Sequence, residues 1–293
     1  MDELILIPTL TDSRADFEIL FGIARQVHGL YEKDIVLDFS NCTSLMQNAV
    51  SVIGGLVKLA EHHGNQIELA WPTIRSEVAR NLARNGLMEF LGKPALKVSK
   101  SAVPFRHDTA LVEDDLVSYL YDSWIGKGRV HLSDALKGAI VGKACEIYIN
   151  AFDHGHSPVG VFTSGEHYRQ KKLLKLCVVD FGVGIPDNVR GHVKNANKSG
   201  AESMQWAFRR GNSTKKTEGI ARGLGLDILR EFVKVNNGTL EIFSHDGQAV
   251  IDKAQHFTSR SAIFPGTLVN ITFSCDESYY RFASETTGKP LFS

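Results

Sequence analysis

One stretch limits the fold more than any other. Residues 173–179 are apolar apart from Lys175, and they run directly into Asp180-Phe181-Gly182-Val183-Gly184. An unbroken apolar run of this length reads as a buried strand rather than a half-exposed one. Its end carries an acid followed by alternating glycines. That arrangement can hold a carboxylate still while the backbone turns closely around a ligand.

Upstream, residues 142–154 read GKACEIYINAFDH. Glu146, Asn150 and His154 fall at steps of four, which a helix winds onto one stripe. Ala144, Ile147, Ile149, Ala151 and Phe152 surround that stripe, so the expected helix packs on a core while its polar line faces something bound. A carboxylate one turn from an amide can take a proton from an attacking water or hydroxyl, and can offer an oxygen to Mg²⁺ beside substrate phosphates. E-x-x-x-N is common, and alone it describes a solvated helix face. Downstream, Gly219-Ile220-Ala221-Arg222-Gly223-Leu224-Gly225-Leu226 leads into a helical pattern over residues 227–235. Glycines at a helix start leave backbone N–H groups and the positive helix end open to a phosphate.

In this order, E-x-x-x-N-x-x-x-H, D-x-G-x-G and G-L-G-L resemble the GHKL ATPases over roughly residues 130–275. That superfamily joins histidine kinases, anti-sigma-factor serine kinases, gyrase-type topoisomerases, ninety-kilodalton heat-shock chaperones and MutL repair proteins. The resemblance implies that Glu146 is the catalytic glutamate, Asn150 the Mg²⁺ ligand and Asp180 the acceptor for the exocyclic amine of adenine. It further implies that Gly182 and Gly184 flank the base, while Gly223, Leu224, Gly225 and Leu226 meet the phosphates. His154 matches a histidine of the anti-sigma kinase branch. Asn212-Ser213-Thr214-Lys215 resembles the stretch from which some lids of this superfamily reach the terminal phosphate, which implies that role for Lys215.

The 293 residues carry 33 basic and 33 acidic side chains, so no global field draws the chain to nucleic acid or to an anionic membrane. Cys42, Cys145, Cys177 and Cys275 lie far apart in apolar surroundings, with no C-x-x-C pair and no signal-peptide pattern. Reduced core cysteines in a cytoplasmic protein are the expectation. No apolar stretch approaches the ~20 residues of a membrane helix. P-loop and G-x-S-x-G patterns are absent. His131 lies in an expected helix entry and lacks the surroundings of a phospho-accepting histidine.

Residues 1–100 alternate strand signals at 4–7, 35–39 and 67–70 with amphipathic stretches at 16–30, 46–63 and 75–85, which argues for an α/β layer. IVLDFSNCTSL, GNQIELAWP and VARNLARNGLMEFLG resemble the STAS domains of anti-sigma-factor antagonists, with Leu82, Gly86, Leu87 and Phe90 matching the closing helix and turn. Where those domains carry a phosphorylated D-S-S-G loop, this sequence has Met46, Gln47, Asn48 and Ala49. Ser44 and Ser51 stand close by.

A connector with an edge strand near residues 103–106 follows, then an acidic-fronted helix over 111–124, and Ser133 or Asp134 capping the Glu146 helix, which would run to about Phe152. Residues 185–222 read as a basic loop or lid with one helical island at 201–210. Strands at 239–244 and 266–273 complete the sheet.

The expected architecture is α/β, with a STAS-like domain over 1–100 and a GHKL sandwich over 101–293 whose mixed sheet is covered by helices on one face. By resemblance the function is an ATP-binding, Mg²⁺-dependent regulator of the anti-sigma-factor serine kinase type. It would act on a protein partner such as a STAS-like or sigma-factor-related regulator, with a homodimer as a further candidate. The alternatives are an ATP-gated dimerising clamp ATPase and a nucleotide sensor without turnover.

Overall fold

The computed structural model describes residues 3–11, 13–94, 97–209, 212 and 226–285. The chain begins with β1 (Glu3–Leu6), α1 (Arg14–His28), β2 (Asp34–Asp38), α2 (Gln47–His62) and β3 (Gln66–Leu69), then α3 (Ser76–Arg84) and α4 (Leu87–Phe90). The three strands pair in parallel in the order β1-β2-β3. Ile5, Ile35, Leu37 and Leu69 point inward and are buried, while Leu4 and Leu6 of the same edge strand are exposed. This is the period-2 alternation of a sheet covered on one side.

Helix α2 is buried almost all round, from Gln47 through Val57 and again at Leu59 and Ala60. A helix with no solvent face needs neighbours on two sides. On one side lies the parallel sheet, and on the other a second sheet built from β4 (Ala102–Asp108), β6 (Val161–Tyr168), β7 (Leu173–Asp180), β8 (Thr239–Ile251) and β9 (Gln255–Ser274). Gly54 and Gly55 make that second approach close. A Cβ on Gly54 would stand 2.4 Å from Phe105 Cζ, and one on Gly55 2.2 Å from Phe181 Cε2. One apolar cluster therefore joins α1, α2 and the parallel sheet to Phe162, Cys177, Val179, Phe181, Phe243, Phe264 and Leu268 of the larger sheet and its loops.

The opposite face of the larger sheet is covered by α5 (Glu113–Tyr119), α6 (Asp134–Asn150) and α9 (Asp227–Val235), with Trp124, Tyr148 and Phe232 in a second cluster. Strand β7 shows why its sequence is continuously apolar. Leu174, Leu176 and Val178 belong to the helix-α6 side, whereas Cys177 and Val179 belong to the helix-α2 side. The larger sheet is thus covered on one face by helices of residues 101–293, as the resemblance implied, and on the other by α1 and α2 of the N-terminal part. Its order is β4-β6-β7-β9-β8, and every pairing in it is antiparallel. That corrects the expectation of a mixed sheet. The 3₁₀ turn Arg169–Lys171 joins β6 to β7, and a tight reversal joins β8 to β9; hairpin connections this short can produce only antiparallel neighbours. Among the described residues, parallel pairs occur in β1-β2-β3, in the short pair β5 (His131–Leu132) with β10 (Tyr279–Tyr280), and in the isolated bridge Leu10–Leu45.

Three local departures from the sequence reading matter. His131 sits in a strand rather than a helix entry. The supposed loop after Gly184 contains α7 (Ile185–Val193), with Pro186 in its first turn, before α8 (Gly200–Ala207). Strands β8 and β9 extend well past Ser244 and well before Gly266 through bulged register near His245. No described helix is long and apolar enough to cross a membrane, and the four cysteines are free.

Candidate functional site

Strand β7 delivers Asp180 to the carboxyl end of the sheet's central strand, where it is 3% exposed. Its Oδ1 accepts the Gly182 N–H at 2.9 Å, and Thr267, its register partner on β9, supplies backbone and side-chain hydrogen bonds. Burial outweighs these bonds and pushes the carboxyl pKa from 3.8 up to about 7. An acid held this way near neutrality in a fixed position is typical of functional sites.

The end of helix α6 closes against this carboxyl. Ser133 caps the helix, its Oγ accepting the Leu136 N–H at 3.2 Å, as its sequence position suggests. Regular α geometry stops at Asn150, and residues Ala151–Gly155 form a π-helical turn. Glu146 and Asn150 therefore keep their shared stripe, whereas His154 leaves it, because a π turn winds more residues per revolution. Gly155 ends the turn directly beneath Asp180: a Cβ there would lie 3.1 Å from Asp180 Oδ1. The Gly155 carbonyl accepts the Val183 N–H at 2.7 Å, and a Cβ on Gly182 would fall 1.8 Å from that same oxygen. Only glycine fits at 182. Gly184 adopts φ +83°, which also favours glycine, and turns the chain into α7. Asn188 of α7 then donates to the His154 carbonyl at 2.8 Å, and the Phe181 N–H reaches Ser157 Oγ at 3.3 Å.

Glu146 is about one-third exposed and forms an ion pair with Lys143 one turn earlier. Asn150, the last α-helical residue, is half-buried. Leu226 is buried in the core, with its carbonyl accepting from the Arg230 N–H at 2.8 Å, so any part it takes at a phosphate falls to its backbone. Lys215, Gly223, Leu224 and Gly225 lie outside the described residues. The structure thus brings Asp180, Gly182, Gly184 and the α6 terminus together around Gly155. Sequence reading missed Gly155, Thr267, Ser157, Asn188 and Lys143. Of these only Gly155, following His154 in the motif, had a local signal; Thr267 becomes a neighbour of Asp180 only through strand register.

A cluster of three or more His, Cys, Asp or Glu suited to a metal is absent among the described residues. A lone amide oxygen at Asn150 is nevertheless a fitting donor for Mg²⁺, which keeps several waters and takes few protein ligands when substrate phosphates supply the rest. The fold and site describe a layered α/β protein with a buried, near-neutral carboxyl at the end of an antiparallel sheet. A scan against protein-family models finds no match for the chain, and a search of curated proteins finds none either.

Proposed function

We propose that the chain is an adenine-nucleotide-binding regulatory protein with a GHKL-type site centred on Asp180. The observation that carries this reading is the buried Asp180 carboxyl, which burial alone would keep neutral and which a ligand amine would draw into its ionised, accepting form. Gly182 and Gly184 let the turn after Asp180 pack closely on Gly155 and Gly266, which holds the carboxyl in place. Asn150 would hold Mg²⁺, which when bound supplies charge neutralisation across the phosphate oxygens. Glu146 would orient or deprotonate the nucleophile once it leaves Lys143. On this reading the partner is a protein, of the STAS-like or sigma-factor-related kind, and the activity is that of a serine kinase of the anti-sigma type.

The Lys143–Glu146 ion pair also favours a second reading, a nucleotide sensor with little turnover, because a carboxylate held by Lys143 is turned away from a nucleophile. A dimerising clamp ATPase is the third. Isothermal titration with ATP and GTP tests the shared premise. ATP binding with Mg²⁺, and its loss in Asp180→Asn, supports it; equal affinity of parent and variant overturns it. Labelled γ-phosphate then separates a kinase (label on protein) from an ATPase (label as phosphate) and from a sensor (no transfer).

A further inference from the structure

At the other end of β7 from Asp180, about 23 Å away at 3.3 Å per residue, the β6–β7 turn and the connector before β4 line an open surface depression of about 430 Å³. Ser99, Lys100, Ser101, His167, Arg169 and Lys171 line it. Three of these are fixed cations, and a fourth stands behind them: Arg129 donates through Nη2 to the Lys100 carbonyl, while its shielded Nη1 has no hydrogen-bond partner. Glu166, whose charge acts on Arg129, is half-buried; burial raises its pKa, and its carboxyl hydrogen-bonds with the Ser101 side chain.

The hydroxyls are also arranged. Ser99 Oγ and Ser101 Oγ are 2.8 Å apart, the Ser101 N–H points at Ser99 Oγ at 3.3 Å, and the Ser101 carbonyl accepts the His167 N–H at 2.8 Å. These contacts fix the connector against β6, so the cavity wall does not depend on side-chain chance. His167 is held below the usual imidazole range first by burial and then by Arg129 and Arg169. Tyr168 lines the same cavity while its hydroxyl donates to Gln47 Oε1 at 2.7 Å and accepts the Gln47 N–H at 3.3 Å.

We infer that this cavity is a binding site for a phosphoryl-class dianion, held by Lys100, Arg169 and Lys171. A tetrahedral oxyanion offers oxygens to cations that converge on it from several sides. Occupancy would bear on α2, because Tyr168 belongs both to the cavity and to the docking of Gln47. The site is separate from the one at Asp180, and it stands or falls independently of the nucleotide reading.

Inorganic phosphate is the probe. The full chain is titrated at constant ionic strength, with chloride as the balancing anion, while the His167 imidazole is followed by NMR. Saturable binding with Kd below about 1 mM, and a rise of the His167 pKa on saturation, are expected. Arg169→Gln/Lys171→Gln, both exposed positions, should weaken binding at least about tenfold with an unchanged melting temperature. Phosphate binding that survives this double substitution, or a His167 response that chloride reproduces, overturns the inference.

Discussion

Gly55 of α2 lies against the ring of Phe181, the residue beside Asp180, so closely that a Cβ on the glycine would stand 2.2 Å from Phe181 Cε2 and 2.9 Å from Phe162 Cδ2. Helix α2 is thereby in direct contact with the turn that presents the candidate adenine-binding acid. Gly55→Val should destabilise the protein by about 1–3 kcal/mol, the usual cost of overpacking, and should weaken ATP binding by displacing Phe181. Gly22→Ala on α1, where nothing lies within 4 Å, is the control. It should be neutral or stabilising by about 0.5–1 kcal/mol. Thermal melts and ATP titrations of both variants give the answer; equal behaviour would mean that the contact transmits nothing.

Asp180 makes stability depend on pH in a defined direction. Its folded-state pKa of about 7 lies above the ordinary 3.8, so the folded chain holds a proton that the unfolded chain has released. The associated stability is fully present below 3.8 and is lost as pH rises through about 7. Asp180→Asn should therefore raise the melting temperature at about pH 8, by no more than about 4 kcal/mol of stability at 1.36 kcal/mol per unit, and change it little at low pH. Calorimetry at several pH values measures this. A variant that is less stable than the parent at high pH would contradict the burial argument.

The same proton sets the sign for ligand binding. The ionised carboxylate is the stronger acceptor for an adenine amine, because the bond is then charge-assisted. ATP affinity of the parent should rise as pH increases through about 7 and then level off. A flat profile across that window would remove Asp180 from the adenine contact.

Glu146 and Lys143 can be separated by substitution. Glu146→Gln should leave Mg·ATP binding in place and slow any turnover by about 10²–10⁴. Lys143→Met frees the carboxylate and should speed turnover if Glu146 is the base. Asn150→Ala should instead remove the Mg²⁺-dependent part of binding. Single-turnover kinetics distinguish these outcomes, and parental rates in Glu146→Gln would exclude the catalytic role.

Where α2 meets the larger sheet, buried polar groups pair across the junction. Ser51 Oγ lies 2.8 Å from Ser164 Oγ, Ser164 also donates to the Gln47 carbonyl at 2.8 Å, and Gln47 Nε2 donates to Asn270 Oδ1 at 3.2 Å. Tyr168→Phe leaves Gln47 Oε1 and N–H without that hydroxyl and should cost about 1–3 kcal/mol. Ser51 is fully buried, whereas Ser44 is exposed. Phosphopeptide mapping after long incubation with Mg·ATP should therefore find Ser51 unmodified; stoichiometric phosphate there would require α2 to leave the sheet.

The parts of this fold that could be read in advance are those with local causes. Residues 173–179 announced β7 because every second side chain enters a different core, and Asp227–Val235 forms as its periodicity indicated. Helix α7 was hidden because only Pro186 and Val189 of its nine residues are buried, too few to give a period. The hairpin of β8 and β9 was cut short in the reading because His245, Asp246 and Gly247 look like a turn, while the structure carries both strands through with bulges. At the site, Asp180 was legible as an acid ending an apolar run. Thr267 and the closing role of Gly155 were not, since both arise from segments distant in the chain that meet only after the sheet forms.

The bulged edge strand β4 bears on self-assembly. Register shifts between Val103 and Arg106, Pro104 brings no N–H, and its carbonyl is taken by the Tyr119 hydroxyl at 2.6 Å, while Arg106 reaches both Asp108 and the α5 backbone. A second chain looking for a ladder to extend finds neither donor nor free acceptor at that point. The β4 margin is therefore closed at this point to the strand-by-strand growth that leads to fibres, and an added strand would have to pair along another edge.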